Sequence, residues 1–393
     1  MLRRALVAAV ASLVAACSGS SSDTLLAPDA PTVDTPAAAT PPSEPGAPSD
    51  SPAPPGEAPP DVGAGAPPLG GEVGKWTWLE VPESKCGNGE ATGIGVNLGA
   101  GGAGGAGGDL VIFLMGGGGC WDELTCNAGA AKNVKDGYQR DDFEADVKEK
   151  LARGIFDRAA ANNPFKDSSF VAVPYCTGDV HAGDATKEFF LPRRTMHFSG
   201  RKNVEAMLGK VVPAFAGASR VTLAGVSAGG FGAAINYWRV QDAFGATRVD
   251  LVDDSGPPFE SGHIPLLGAW RSAWNLDAAL PPDCAGCKEN LAAIPAHYAK
   301  KYPSSRMAFT SFDQDKTISL FFVTPQPLFA SRLRGMAETR LAPLVNFRFF
   351  IVPGTEHTML DEPLDLESGT TALGDWLTTM KADAPAWTNV AAK

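Results

Sequence analysis

Residues 219–238 read SRVTLAGVSAGGFGAAINYW, and the reading of the chain turns on this stretch. A short apolar run (Val221, Leu223, Ala224) enters Gly225-Val226-Ser227-Ala228-Gly229, and a small-residue helical pattern follows. This is a G-x-S-x-G elbow set between a strand and a helix. A serine at its centre stands on a turn so tight that its neighbours two positions away carry almost no side chain. The turn lifts the hydroxyl above the sheet and sets it at a helix N-terminus, where backbone N–H groups favour developing negative charge. A glycine-rich turn with a bystander serine has the same letters. The flanking strand and helix are the context that nucleophilic chemistry requires.

Outward from the elbow, strands and helices alternate. Trp76–Val81, Gly93–Leu98, Asp109–Met115, Ser169–Pro174, Val221–Ala224, Val249–Val252, Met307–Ser311 and Phe347–Val352 read as strands, several of them continuous apolar runs. Asn203–Phe215 and Gly230–Phe244 carry helical periodicity. This predicts a mainly parallel sheet with helices on both faces. Chemistry in such a sheet lies just past the carboxyl ends of its strands. The segment Gly99–Gly108 contains a literal G-x-G-x-x-G, but a strand rather than a helix follows it, so a dinucleotide site is excluded. It is read as a hairpin connection.

Past the strand ending at Met115 come Gly116-Gly117-Gly118-Gly119-Cys120-Trp121-Asp122. Acyl transfer passes through an oxyanion that needs several backbone N–H donors, and bulky side chains obstruct that approach. In α/β-hydrolases one donor follows the nucleophile and the rest come from such a loop, which here indicates Ala228 with Gly117 and Gly118. A flexible or anion-binding loop is the plainer alternative. The general base should follow a late strand. Of the five histidines, His181 and His197 precede the serine, and His263 and His297 lie too early, so His357 in Gly354-Thr355-Glu356-His357-Thr358 is the candidate. The acid that holds the imidazole is sought among Asp253, Asp254, Asp313 and Asp315. Order and spacing favour Asp313, with Asp315 behind it, while Asp253 and Asp254 are placed to shape a pocket wall.

Composition sets the frame. Residues 1–16 have a basic start (Arg3, Arg4), an apolar core too short to span a bilayer and a small-residue end before Cys17. This predicts a signal peptide, and the residues before Cys17 resemble a bacterial lipobox, with Cys17 as the lipidated N-terminus. Residues 17–70 are rich in Pro, Ala and Ser and read as a disordered tether. Residues 71–393 suffice for one α/β domain. The net charge of −11 argues against nucleic acid and against anionic membranes, so membrane attachment is expected only through a lipid at Cys17. Setting Cys17 aside leaves Cys86, Cys120, Cys126, Cys176, Cys284 and Cys287, an even number that suggests disulfides in an exported protein. Zinc at Cys284-x-x-Cys287 is the rival reading.

Taken together, Phe113–Trp121, Val173-Pro174-Tyr175-Cys176-Thr177-Gly178-Asp179-Val180-His181-Ala182-Gly183, Ala224–Gly230, Val252–Gly256, Phe312-Asp313 and His357 resemble the pectin acetylesterase/Notum family of carboxylesterases, including its bacterial members. The resemblance implies an α/β-hydrolase-like fold with Ser227 as nucleophile, Asp313 as acid, His357 as base and Gly117, Gly118 and Ala228 as oxyanion donors. It also implies the pairs Cys86–Cys176 and Cys120–Cys126, with Cys284–Cys287 as a tight bridge or a less regular feature. Met115 and Gly118 depart from the pattern. The expectation is therefore a monomeric, cofactor-free serine esterase of the bacterial cell envelope, acting on acetyl or other short acyl esters such as those of acetylated pectin. Tyr175, Asp179 and Trp121 are expected in the cleft or its supports. The alternatives are a hydrolase of a bacterial polyester or lipid-type ester, and a non-catalytic surface-binding protein on the same fold.

Overall fold

A computed structural model describes residues 69–101 and 108–392. The expected signal peptide, Cys17, nearly all of the expected tether and most of the glycine-rich segment lie outside the described residues. The elements run β1 (Trp76–Val81), β2 (Thr92–Asn97), β3 (Asp109–Leu114), α1 (Glu123–Asn127), α2 (Arg140–Glu149), β4 (Ser169–Val173), β5 (Ala185–Phe190), β6 (Arg193–Phe198) and α3 (Gly200–Ala214). There follow β7 (Arg220–Val226), α4 (Ala228–Phe244), β8 (Val249–Asp254), α5 (Leu267–Trp274), α6 (Ile294–Lys301), β9 (Met307–Phe312), α7 (Lys316–Phe321) and α8 (Gln326–Met336). The chain closes with β10 (Phe347–Val352), β11 (Glu367–Ser368), β12 (Thr371–Ala372), α9 (Leu373–Lys381) and β13 (Val390–Ala391).

Nine strands make the main sheet in the order β1-β2-β4-β3-β7-β8-β9-β10-β13. β1, β2 and β4 pair antiparallel, and every pair from β4 onward is parallel. The central strands are buried on both sides, and alternate residues feed two cores. Ile112, Leu114, Leu223, Leu251, Phe309 and Ile351 join the core that receives side chains of α3, α4, α6 and α8. Val111, Phe113, Ala224, Val252, Phe350 and Val352 join the other, with Phe143 of α2 and Leu373, Trp376 and Met380 of α9. Each large side chain buried this way contributes roughly 1.5–3 kcal/mol, so both faces of the sheet are held firmly.

One expectation is corrected here. Segment 99–108 is not a hairpin connection: β2 and β3 both pair with β4, which lies between them. β4 lies parallel to β3, and the crossover that a parallel pair needs is the segment 115–168 between them. A separate two-stranded hairpin forms from β5 and β6, with Ala185 opposite Phe198. Among the described residues, no helix is long and apolar enough to cross a membrane.

Candidate active site

The sheet brings four chain segments to one edge, past the carboxyl ends of β3, β7, β9 and β10. Ser227 follows β7 with φ 58° and ψ −122°, a conformation that costs a non-glycine residue about 1–3 kcal/mol. The surrounding packing enforces it. A Cβ on Gly225 would overlap the Gly229 carbonyl, and one on Gly229 would overlap the Leu114 carbonyl of β3. The two glycines of the elbow are thus demanded by backbone packed against backbone. The Ser227 N–H donates to the Asp254 carbonyl at 2.8 Å, which fixes the turn to β8.

The loop after β3 presses against this turn: a Cβ on Gly116 would come 3.0 Å from that of Ser227. Gly118 has φ +81°, and a side chain there would strike the Ala130 carbonyl. The loop is bound from several sides. Gly117 O accepts from Lys132 N (2.8 Å), Gly119 N donates to Ala130 O (3.1 Å) and Cys120 N donates to Gly178 O (2.9 Å). Among the described residues, the N–H groups of Gly117, Gly118 and Ala228 donate to no protein acceptor. Such spare donors are what a developing oxyanion requires.

The segment from Tyr175 to Gly183 serves this loop. The Tyr175 hydroxyl donates to Gly118 O at 2.7 Å and accepts from Val180 N at 2.9 Å. His181 Nε2 lies 2.9 Å from Met115 O. Burial lowers the His181 pKa to about 4, so at neutral pH the ring is neutral and its Nε2–H donates to that carbonyl. Asp179 is fully buried. It accepts from Thr177 Oγ1 (2.6 Å) and Gly200 N (2.7 Å), and desolvation raises its pKa to about 6. Trp121 is partly buried, with its ring 6.1 Å from that of Trp270. Tyr175, Asp179 and His181 therefore act as supports.

His357 stands past β10, and its Nδ1 lies 2.7 Å from Asp315 Oδ2. Asp315 is fully buried, and its other oxygen accepts from Thr317 N and Ile318 N, both at 2.9 Å, as the N-cap of α7. Asp313, favoured by order, spacing and resemblance, is turned elsewhere. It accepts from Gly354 N (3.0 Å) and pairs with Arg334 (2.5 Å). The partner of the histidine is thus Asp315, ranked second from sequence. The cap geometry decides this: one oxygen is spent on the helix, and the second is left facing the imidazole.

Asp254, expected in a pocket wall, is an anchor instead. Its Oδ2 accepts from Met359 N (2.6 Å) and Leu360 N (2.9 Å), while its carbonyl accepts from Ser227 N. One residue therefore ties the serine turn to the histidine loop. Burial raises its carboxyl pKa to about 6. Asp253 accepts from Gly256 N at 2.9 Å, and desolvation also drives its pKa well up. Of the other histidines, His197 lies half-buried on β6, His263 follows β8 at a distance in sequence, and His297 pairs with Asp283.

Disulfides flank the site. Cys86 is joined to Cys176 beside Tyr175, and Cys120 to Cys126 beside the glycine loop. Cys284 is joined to Cys287, so both sulfurs are engaged with each other and unavailable to zinc.

Residues 80–275 match the model of the family described as pectinacetylesterase. A palmitoleoyl-protein carboxylesterase, notum2 of Xenopus laevis, is 31% identical over 170 residues, covering 43% of this chain. The match spans only about a third of that relative's length (31%). Among solved structures, the Wnt deacylase Notum from Drosophila superposes with a TM-score of 0.57 at 17% identity. That alignment covers 79% of this chain and 93% of the other, and it shows a shared fold. The glycine loop, the elbow and the Pro-Tyr-Cys segment all lie inside the matched region, and the chain belongs to the pectin acetylesterase/Notum family.

Proposed function

We propose that this protein is a serine carboxylester hydrolase. The observation that carries the proposal is the pairing of His357 with the buried Asp315 at the same sheet edge as the strained Ser227. Ser227 Oγ attacks the ester carbonyl as His357 Nε2 takes its proton. Asp315 holds Nδ1–H and so keeps Nε2 free to accept. The oxyanion rests on the N–H groups of Gly117, Gly118 and Ala228. His357 then returns the proton to the leaving alcohol, and water hydrolyses the acyl-enzyme by the same route.

A short acyl group, acetyl above all, is the proposed substrate portion. A Cβ on Gly118 would meet the Phe321 ring at 3.2 Å, and Trp274 packs beside Gly119, so aromatic side chains crowd the loop from which the donors come. The alcohol portion is proposed to be a sugar hydroxyl of an acetylated polysaccharide, in keeping with the name of the matching family. Three disulfides support export to an oxidising compartment, and a lipid at Cys17 is the proposed anchor in the cell envelope. The test is labelling by a fluorophosphonate together with hydrolysis of p-nitrophenyl acetate. Ser227→Ala should abolish labelling and lower kcat/KM about 10³–10⁶-fold. Unchanged turnover in that variant would exclude the mechanism. Hydrolysis of acetylated pectin, long-chain acyl esters and polyester film under the same conditions ranks the substrates.

A further inference from the structure

Gly116 to Gly119 carry no side chains, so nothing of the loop's own can pack it in place. Its shape depends on what holds its carbonyls and its two ends. The segment Tyr175–Gly183 holds the near end and the middle, through His181 at Met115 O and Tyr175 at Gly118 O. The far end is Cys120, and a different element reaches it. Trp274, the last residue of α5, donates its indole Nε1–H to Cys120 O at 2.7 Å, across 154 residues of sequence. Among the described residues no backbone amide donates to that carbonyl. Both partners are fully buried, where a carbonyl without its donor is costly. The indole also closes on Gly119: a Cβ there would stand 3.7 Å from the ring.

Trp274 is itself held. Its carbonyl accepts from Asp184 N at 2.8 Å, one residue past the supporting segment. Loop, indole and supporting segment thus form a closed bracket around Gly116–Gly119. Trp270, one turn earlier in α5, makes an instructive contrast. Its ring stacks on that of Trp274 with centroids 5.3 Å apart and an interplanar angle of 14°. It is also buried, yet its Nε1 makes no hydrogen bond. Of the two stacked indoles, only Trp274 is bonded to the glycine loop.

Glycine backbones sample more conformations than others. Released at Cys120, the peptide planes of Gly117 to Gly119 are free to rotate, and an N–H turned aside no longer faces an oxyanion. We propose that Trp274 is a positioning residue of the hydrolytic site: its N–H, by holding Cys120 O, fixes the far end of the glycine loop and so the direction of the Gly117 and Gly118 N–H groups. The kinetic consequence rests on the esterase reading, whereas the anchoring of the loop does not.

The test compares Trp274→Phe with Trp270→Phe in the full-length protein. Both make the same change of ring, but only the first deletes a hydrogen bond. Trp274→Phe should lower kcat for p-nitrophenyl acetate about 10–100-fold with KM within about threefold. Trp270→Phe should stay within about threefold of wild type in both constants. If Trp274→Phe does not fold, β-(3-benzothienyl)alanine at position 274 keeps the shape of the indole without its N–H and should show the same loss of kcat. The second readout is deuterium exchange in peptides covering residues 116–122, where Gly119 N and Cys120 N donate to the carbonyls of Ala130 and Gly178. Exchange there should quicken at least about tenfold in either Trp274 variant and stay unchanged in Trp270→Phe. This readout needs no turnover, so a wild type that hydrolyses no ester would refute the esterase reading and leave the anchoring to be judged by exchange. Unchanged exchange in the Trp274 variants would overturn the proposal. So would an equal loss in Trp270→Phe, or, in an active enzyme, a raised KM with kcat unchanged.

Discussion

Replacing Asp315 by asparagine separates its two duties. One side-chain oxygen can stay on the amides of Thr317 and Ile318, so the cap of α7 survives. The other position becomes an NH₂ facing His357 Nδ1, where the wild-type contact is 2.7 Å. A donor there forces Nδ1 to accept and places the ring proton on Nε2, the atom that takes the proton from Ser227 in the proposed mechanism. The expected loss is about 10³–10⁴-fold in kcat/KM, or roughly 4–5.5 kcal/mol of transition-state stabilisation. The fold should be little affected, with the thermal midpoint moving by only about a few degrees. Asp313→Asn is the control. It can keep an oxygen on Gly354 N–H, and its ion pair is with Arg334, whose side chain is 52% exposed and so worth at most about 1 kcal/mol. Its kcat/KM should stay within about tenfold of wild type. The assay is p-nitrophenyl acetate hydrolysis alongside a circular dichroism melt of each variant. A loss above about 10³-fold in Asp313→Asn, with Asp315→Asn near wild type, would refute the reasoning from geometry.

Tyr175→Phe removes the hydroxyl that holds Gly118 O and Val180 N, so kcat should fall about tenfold while KM changes less; an unaltered kcat would show that the glycine loop needs no such support. Asp254→Asn probes a buried carboxyl whose pKa rises from 3.8 to about 6 on folding, equivalent to roughly 3 kcal/mol. The native state keeps this proton to higher pH than the unfolded chain, so the group's stabilising term is full below about pH 4 and is lost as pH rises through about 6. Relative to wild type, the variant should therefore gain up to about 3 kcal/mol between pH 4 and pH 7 in urea unfolding; a pH-independent difference would contradict it. Cys86→Ser with Cys176→Ser opens a closure spanning 90 residues and should cost about 2–5 kcal/mol, read as a lower denaturation midpoint; an unchanged midpoint would count against a structural bridge.

Features that depend on close backbone approach were legible in the sequence, because such approach restricts the residue type. Gly225, Gly229 and Gly118 stand where any Cβ would meet a carbonyl, so the elbow and the glycine loop are written in the chain. The choice between Asp313 and Asp315 was not. Both follow β9, two residues apart, and spacing cannot say which carboxylate turns toward the histidine. The signal existed as an N-cap pattern, Asp315 followed by Lys-Thr-Ile, but capping had to be weighed together with the imidazole to be useful. The anchoring role of Asp254 was not legible because its partners are backbone amides about a hundred residues away, which leave no mark on side-chain pattern. The β5–β6 hairpin was hidden by its composition: Lys187, Glu188, Arg193 and Arg194 interrupt the alternation that marks a half-buried strand. The insertion of β4 between β2 and β3 was hidden because strand order is a property of pairing, not of local sequence.

The double attachment of Asp254 has a kinetic consequence. Its carbonyl holds the amide of Ser227 and its carboxylate the amides of Met359 and Leu360, so the serine turn and the histidine loop share one anchor. Opening either segment strains the other, and the three amides should exchange with solvent deuterium as one cooperative unit rather than as a turn and a loop. Substitutions along β8 would then be felt at both ends of the proposed proton transfer together. In double-mutant cycles, changes in the elbow and in the histidine loop should be non-additive although they lie more than a hundred residues apart in the chain.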